Sequence, residues 1–336
     1  MDKDYLCTDK QNSPMKTQIS NLKEFAKQFD KDKDCRAYLE KERWDGNPKC
    51  PHCGNEEKTY KLGDGKTYKC GNKECYKKYT VTVGTIFENT NIPLSKWFMA
   101  IYICTAHKKG ISSIQLAKDL GITQKSSWFM IHRIREMMRD KAPELLNNVV
   151  EADETYYGGK EANKHKSKRT PNSQGRNTET KAAIFGMLER QGEVRLQTIS
   201  NVKRETLQPL IKENVARDAT IVTDEWRSYN GIDKLFTQHL RVDHGKGNYV
   251  NGEAHTNSIE GFWSLLKRGL SGIQHQVSHR HLPRYCDEYA YRYNTRKQSD
   301  PERFTSILQR SEGRLTYPQL IQKEKPKTDG KEETQS

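Results

Sequence analysis

Two groups of residues in this chain have the types and spacing for chemistry. The first is sulfur: Cys50 and Cys53 in CPHC, then, after sixteen intervening residues, Cys70 and Cys75 in CGNKEC. Four thiolates complete a tetrahedral Zn²⁺ shell, and two tight turns about a β-hairpin bring two of them each to one point. Tyr60, Tyr68, Tyr79, Val81 and Val83 suit the strands between and after the turns. The spacing predicts a zinc ribbon, and four cysteines complete the ligand set without His52. Such a Zn²⁺ is structural, because no coordination position is left open for a reactant.

The second group is acidic. Asp153 in NVVEADETYYGG and Asp224 in ATIVTDEWRSY each follow an apolar run, so each is expected where a buried strand ends. Side by side, the two carboxylates would repel unless a divalent cation neutralised them. Mg²⁺ or Mn²⁺ held there would activate water or a 3′-hydroxyl and stabilise the leaving oxygen in phosphodiester chemistry. HTNSIEGFWSLLKRG adds a third element. On a helix Asn257, Glu260, Ser264 and Lys267 share an arc of about 80°, apart from the face of Ile259, Phe262, Trp263 and Leu266. Glu260 and Asn257 are both candidates for the third metal-site position; the carboxylate is the stronger ligand. Lys267, seven residues after Glu260, points the same way and would meet a phosphate. Glu151 and Glu154 flank Asp153 as weaker candidates for its role, and His244 and Tyr249 could line the site.

These residues must be positioned by the rest of a 336-residue chain, long enough for two or three domains. Lys and Arg total 58 against 44 Asp and Glu, a net charge of +14, which suggests an anionic partner with nucleic acid foremost. GISSIQLAKDLGITQKSSWFMIHRIREMM has the layout of a helix-turn-helix. Gly121 makes the turn, Thr123 caps the second helix, and Gln124, Lys125, Ser126 and Ser127 open it, where base edges are read. Arg133 and Arg135 are candidates for phosphate contacts. The longest apolar stretch, Trp97 to Cys104, is far short of the ~20 residues that span a bilayer. The polar start MDKDYLCTDKQN carries no secretory pattern, so a cytoplasmic, nucleoid-associated protein is expected, with Cys7, Cys35, Cys104 and Cys286 as reduced thiols.

The texture of the chain divides it into a helical lead-in over 1–44, the zinc ribbon over 45–90, and the helix-turn-helix region over 91–147. An α/β catalytic domain follows over 148–310, then a polar tail over 311–336. Strands are predicted in NVVEADETYY, KAAIFGMLER, EVRLQTIS, ATIVTDEW and QHLRVDH, a helix in KRETLQPLIKENVA, and further helices from Thr256 to about Tyr317. Residues 160–181 form a basic insert that reads equally as a solvated loop or a DNA-contacting arm.

Taken together, CPHC…CGNKEC, FENTNIPLSKWFMAIY, VEADETYYGG, VTDEWRSYN, HTNSIEGFWSLLKRG and YCDEYAYRYNTR resemble an insertion-sequence transposase of the ISXO type over roughly residues 30 to 300. The resemblance implies an RNase H-like mixed-sheet DDE domain behind a zinc ribbon and a helix-turn-helix. It implies binding of transposon ends, metal-dependent DNA cleavage and strand transfer into target DNA, and a homodimer or larger assembly on DNA. Asp153 and Asp224 match the first two acids, while relatives carry either Glu or Asn in the third role. Two rival readings are an RNase H-like nuclease or resolvase that cuts without joining, and a non-catalytic DNA-binding regulator.

Overall fold

The computed structural model of the chain describes residues 19, 21–159, 165–168, 181–242 and 255–322. Most of the basic insert, His244, Tyr249, Cys7 and the last fourteen residues lie outside these.

The C-terminal half is built on a five-stranded sheet of β4 (Val149–Tyr157), β5 (Ala182–Glu189), β6 (Val194–Ile199), β7 (Thr220–Asp224) and β8 (Gln238–Val242). Their order across the sheet is β6-β5-β4-β7-β8. All five fall where apolar, β-branched runs predict them. β6, β5 and β4 pair antiparallel, whereas β4, β7 and β8 run parallel. A meander followed by two parallel strands, with helices on both faces, is the RNase H-like order, and it confirms the α/β expectation. Alternation of side chains along each strand sorts the core into two layers. Val150, Ala152, Phe185, Met187 and Ile221 face α6 (Arg204–Asn214), meeting its Leu207 and Ile211. Ile184 and Leu188 face the other way, toward α7 (Asn257–Gly272) and α8 (Leu282–Asn294). The apolar stripe of α7 (Ile259, Phe262, Trp263, Leu266) is buried there.

The N-terminal half is helical around a small ribbon. α1 (Leu22–Gln28), α2 (Asp32–Trp44) and α3 (Leu94–Ala106) surround a cluster of aromatic rings. Phe25 stacks on Tyr102 with centroids 4.3 Å apart, and Phe29 meets Phe98 edge-on at 5.1 Å. The cluster is completed from the far end of the chain: Phe304 on α9 (Asp300–Gln309) lies 4.7 Å from Phe25. Residues 300–309, which the sequence pattern groups with the catalytic domain, therefore pack in the helical core instead. Their apolar residues fit a gap between α2 and α3 that local periodicity does not reveal.

One buried ion cluster ties the two halves. Arg135 on α5 (Gln124–Met138) and Arg292 on α8 grip the carboxylate of Glu288 at 2.7 and 2.6 Å, and all three side chains are almost wholly buried. Burial pushes the Glu288 carboxyl up, but the two guanidiniums outweigh it and hold it at about 2. A folded pKa below the ordinary 4.5 contributes stability that is complete above that value and is lost as pH falls toward about 2. Urea unfolding is therefore expected to show stability falling between about pH 5 and pH 2. Glu288→Gln should remove that component and cost about 3 kcal/mol at neutral pH, because two buried guanidiniums lose their counter-charge.

Candidate active site

The first acid sits mid-strand rather than at a strand end. β4 continues past Asp153 to Tyr157 because β5 pairs along its whole length. Its parallel pairing with β7, in contrast, is registered through Glu151 opposite Val222 and stops there. Two residues further along each strand stand Asp153 and Asp224, so the acids face each other where the two strands part. Asp153, Asp224, Glu260, Ser264 and Lys267 line one cleft of about 360 Å³, with Trp263 as one wall.

Each acid is oriented by a neighbour. The indole Nε1 of Trp263 donates to Asp153 Oδ2 at 2.9 Å. Asp224 Oδ1 accepts the backbone N–H of Trp226 at 3.0 Å, and the buried Thr256 hydroxyl donates to Glu260 Oε1 at 2.9 Å. Burial raises the Asp153 carboxyl above the ordinary range; the indole hydrogen bond opposes this, and the charges of Asp224 and Glu260 add to it. A carboxylate crowded in this way by burial and two like charges fits a divalent cation, and the all-oxygen donor set suits Mg²⁺ or Mn²⁺. Among the described residues these acids do not gather within the 4.8 Å spacing that the four cysteines meet.

Trp263 reaches Asp153 only because residue 186 lacks a side chain. Gly186 stands directly opposite Asp153 in the β4–β5 ladder, and a Cβ there would lie 2.4 Å from Trp263 Cη2. The helix itself is fixed by Glu151, whose carboxylate has no exposed surface. It accepts the backbone N–H of Ile259 at 2.9 Å and pairs with Arg190 at 2.7 Å. Arg190 in turn donates to the carbonyl of His255 at 2.8 Å. Glu151 thus points toward the start of α7, two residues along β4 from Asp153, and holds that helix in place. Asn257, the alternative third ligand, is exposed in the first turn of α7 and does not line the cleft.

The cysteine cluster folds as expected. β1 (Thr59–Lys61), β2 (Tyr68–Cys70) and β3 (Lys78–Tyr79) form a small antiparallel sheet. Its knuckles bring Cys50 Sγ within 3.8 Å of Cys75 Sγ, and Cys53 Sγ within 3.6 Å of Cys70 Sγ. All four lie within 4.8 Å of one another, close to the ~3.8 Å sulfur separation of a tetrahedral Zn²⁺ site. The cluster fits a structural zinc.

The helix-turn-helix is present as α4 (Ser113–Leu120) and α5, joined through Gly121 at φ +58° and capped by the Thr123 hydroxyl. Gln124 and Lys125 are exposed and Ser126 is half-buried, so the first turn of α5 is open to a partner. Ser127 is buried, and the arginines expected at phosphates are not available to them. Arg133 is 5 % exposed and donates to the carbonyls of Leu315, Ile86 and Glu88. Arg135 is the buried partner of Glu288. Beyond its first turn this helix is covered by neighbouring elements, and its basic residues satisfy carbonyls and a carboxylate inside the protein.

Residues 145–294 match the ISXO2-like transposase domain, and residues 30–78 match the transposase zinc-ribbon domain. An uncharacterized protein in transposable element ISH50 of Halobacterium salinarum is 28% identical over 276 residues, 80% of this chain and 92% of that protein. An uncharacterized transposase-like protein of Haemophilus influenzae is 31% identical over 96 residues, 29% of this chain and 76% of that protein. The chain belongs to the ISXO2-like transposase family. Among solved structures, the pre-cleavage Mos1 transpososome and the Mos1 paired-end complex with left transposon end are similar at 14% identity. Each covers 61% of this chain and 75% of the other, with TM-scores of 0.24 and 0.25. Among the described residues of this transposase no helix is long and apolar enough to cross a membrane.

Trp263, Thr256, Gly186 and Arg190 are residues of the candidate site that the sequence alone does not mark. Trp263 reads as plain core on a helical wheel, and only the register of β5 shows its indole nitrogen a partner. Two outcomes test these assignments. Glu151→Ala should destabilise the transposase by about 3 kcal/mol in urea unfolding and speed hydrogen exchange at the first turn of α7, since a half-buried guanidinium and a buried helix-start amide lose their acceptor. Zinc removal by a chelator, or Cys70→Ser, should abolish metal bound per chain in elemental analysis and melt the ribbon, seen as loss of tyrosine near-ultraviolet dichroism.

Proposed function

We propose that this transposase binds transposon ends, cleaves the DNA there, and joins the freed 3′-hydroxyl to a target strand. What carries the reading is one cleft that Asp153, Asp224, Glu260 and Lys267 line together. The three acids would hold Mg²⁺ or Mn²⁺; when bound, the cation supplies an activated oxygen nucleophile and neutralises charge on the leaving oxygen. The protein's own part is positioning. Trp263 fixes the angle of the Asp153 carboxylate, Thr256 that of Glu260, and the Glu151 latch keeps α7 in register with β4. Lys267, about two turns along α7 from Glu260, places an ammonium where a non-bridging phosphate oxygen would lie. Gln124, Lys125 and Ser126 on α5, together with the zinc ribbon, would bind the ends. Action on two ends calls for a homodimer or larger assembly on DNA.

A strand-transfer assay with a pre-cut end duplex and a supercoiled target tests the reading. Asp153→Asn, Asp224→Asn and Glu260→Gln should each lower joining by more than about a hundredfold, with Asn257→Ala within a few fold of the parent. Hydrolysis without a joined product would make the protein a nuclease or resolvase. No cleavage or joining by the parent, with DNA binding intact, would favour a non-catalytic regulator. Loss in Asn257→Ala with Glu260→Gln active would move the third role to the amide.

A further inference from the structure

The ribbon sheet has two unlike faces. One carries Tyr68 and Tyr79, whose rings stack at 5.8 Å beneath Trp44 of α2 and are buried. Residues paired across an antiparallel ladder project to the same side. The pairing of Tyr60 with Lys69, and of Lys69 with Lys78, therefore makes one row across all three strands on the opposite face. Tyr60 is 56 % exposed. Tyr76, 52 % exposed, lies beside the row with its ring centroid 5.3 Å from the Lys69 ammonium. Its backbone takes φ +48°, a left-handed conformation that a bulky side chain rarely adopts and that glycine or asparagine would fill at lower cost. Among the described residues neither ring belongs to the buried core or packs against it. Residues 58–78 carry seven lysines against Asp64 and Glu74.

We propose that this face binds unpaired DNA strands, with Tyr60 and Tyr76 stacking on bases and Lys69 and Lys78 meeting the backbone phosphates. Exposed rings interleaved with lysines on a small sheet form a stacking platform, and a stacking ring needs the flat face of a base that a continuous duplex keeps covered. Phosphate attraction alone would require the lysines and not the tyrosines. The proposal rests on the reading that this transposase works on DNA, and it places the melted or frayed part of an end on the ribbon.

Fluorescence anisotropy of the full-length, zinc-loaded protein with a labelled oligothymidylate, and with a mixed-sequence duplex of equal length, separates the contributions. Tyr60→Ala with Tyr76→Ala should weaken single-strand binding by at least about tenfold, with duplex binding changed less than about twofold. Tyr60→Phe with Tyr76→Phe should restore it, since the ring and not the hydroxyl stacks. Lys69→Gln with Lys78→Gln should weaken binding and flatten its salt dependence. Absence of single-strand binding by the parent, an unchanged affinity in the alanine variant, or a parallel fall on duplex would overturn the proposal. So would tighter binding of the matching oligoribonucleotide. Zinc content and thermal midpoint equal to the parent are required of every variant, and a variant failing that check is replaced by Tyr76→Ala alone. Strand transfer is a separate readout: it can fail while single-strand binding persists, and the reverse.

Discussion

A carboxylate with no exposed surface, set among aliphatic side chains on the inner face of a sheet, is costly unless every lone pair is answered. Glu151 meets that condition by taking the Ile259 amide at the start of α7 and the Arg190 guanidinium from the turn after β5. Because its partners are a helix backbone and a strand-end side chain, satisfying it sets both where α7 begins and how far the helix stands from β4. Glu260 is one residue beyond the amide that Glu151 holds, and Trp263 is one turn further on. Asp153 and Glu260, 107 residues apart in the chain, thereby become neighbours through a hydrogen bond that neither of them makes.

The strands of the sheet were legible in the sequence, though not their order, because buried strands of this kind are near-continuous apolar runs. The ribbon was legible because zinc ligation imposes both residue type and spacing. Asp153 and Asp224 stood out as candidates for a simpler reason: an acid closing an apolar run demands an explanation. What stayed hidden were relations across the chain. Arg133 and Arg135 look like phosphate contacts on a helical wheel, yet whether an arginine faces solvent or a carbonyl depends on what covers the helix. Gly186 looks like an ordinary interruption of β5 until Trp263 is laid over it.

The same contrast explains the two candidate ligands on α7. Asn257 and Glu260 share the first turn of α7 and are close on the wheel, but of the two Glu260 lines the cleft beside Asp153 and Asp224. Thr256, buried just before the helix, then aims its hydroxyl at Glu260. Cleft geometry distinguishes residues that helical periodicity leaves equivalent.

Phe304 bears on how the chain is made as well as how it is packed. The aromatic cluster begun by Phe25 is closed by a residue 279 positions later, so α1, α2 and α3 have no finished core to enter until that residue is made. Domains at the start of a chain ordinarily fold while the remainder is still being synthesised. Here the helical half waits for residues 300–309 to be made, and a product ended before them by a frameshift would leave one side of Phe25, Phe29 and Phe98 uncovered. A chain cut short anywhere upstream of α9 would thus be open to proteolysis rather than leave a finished, free-standing N-terminal domain.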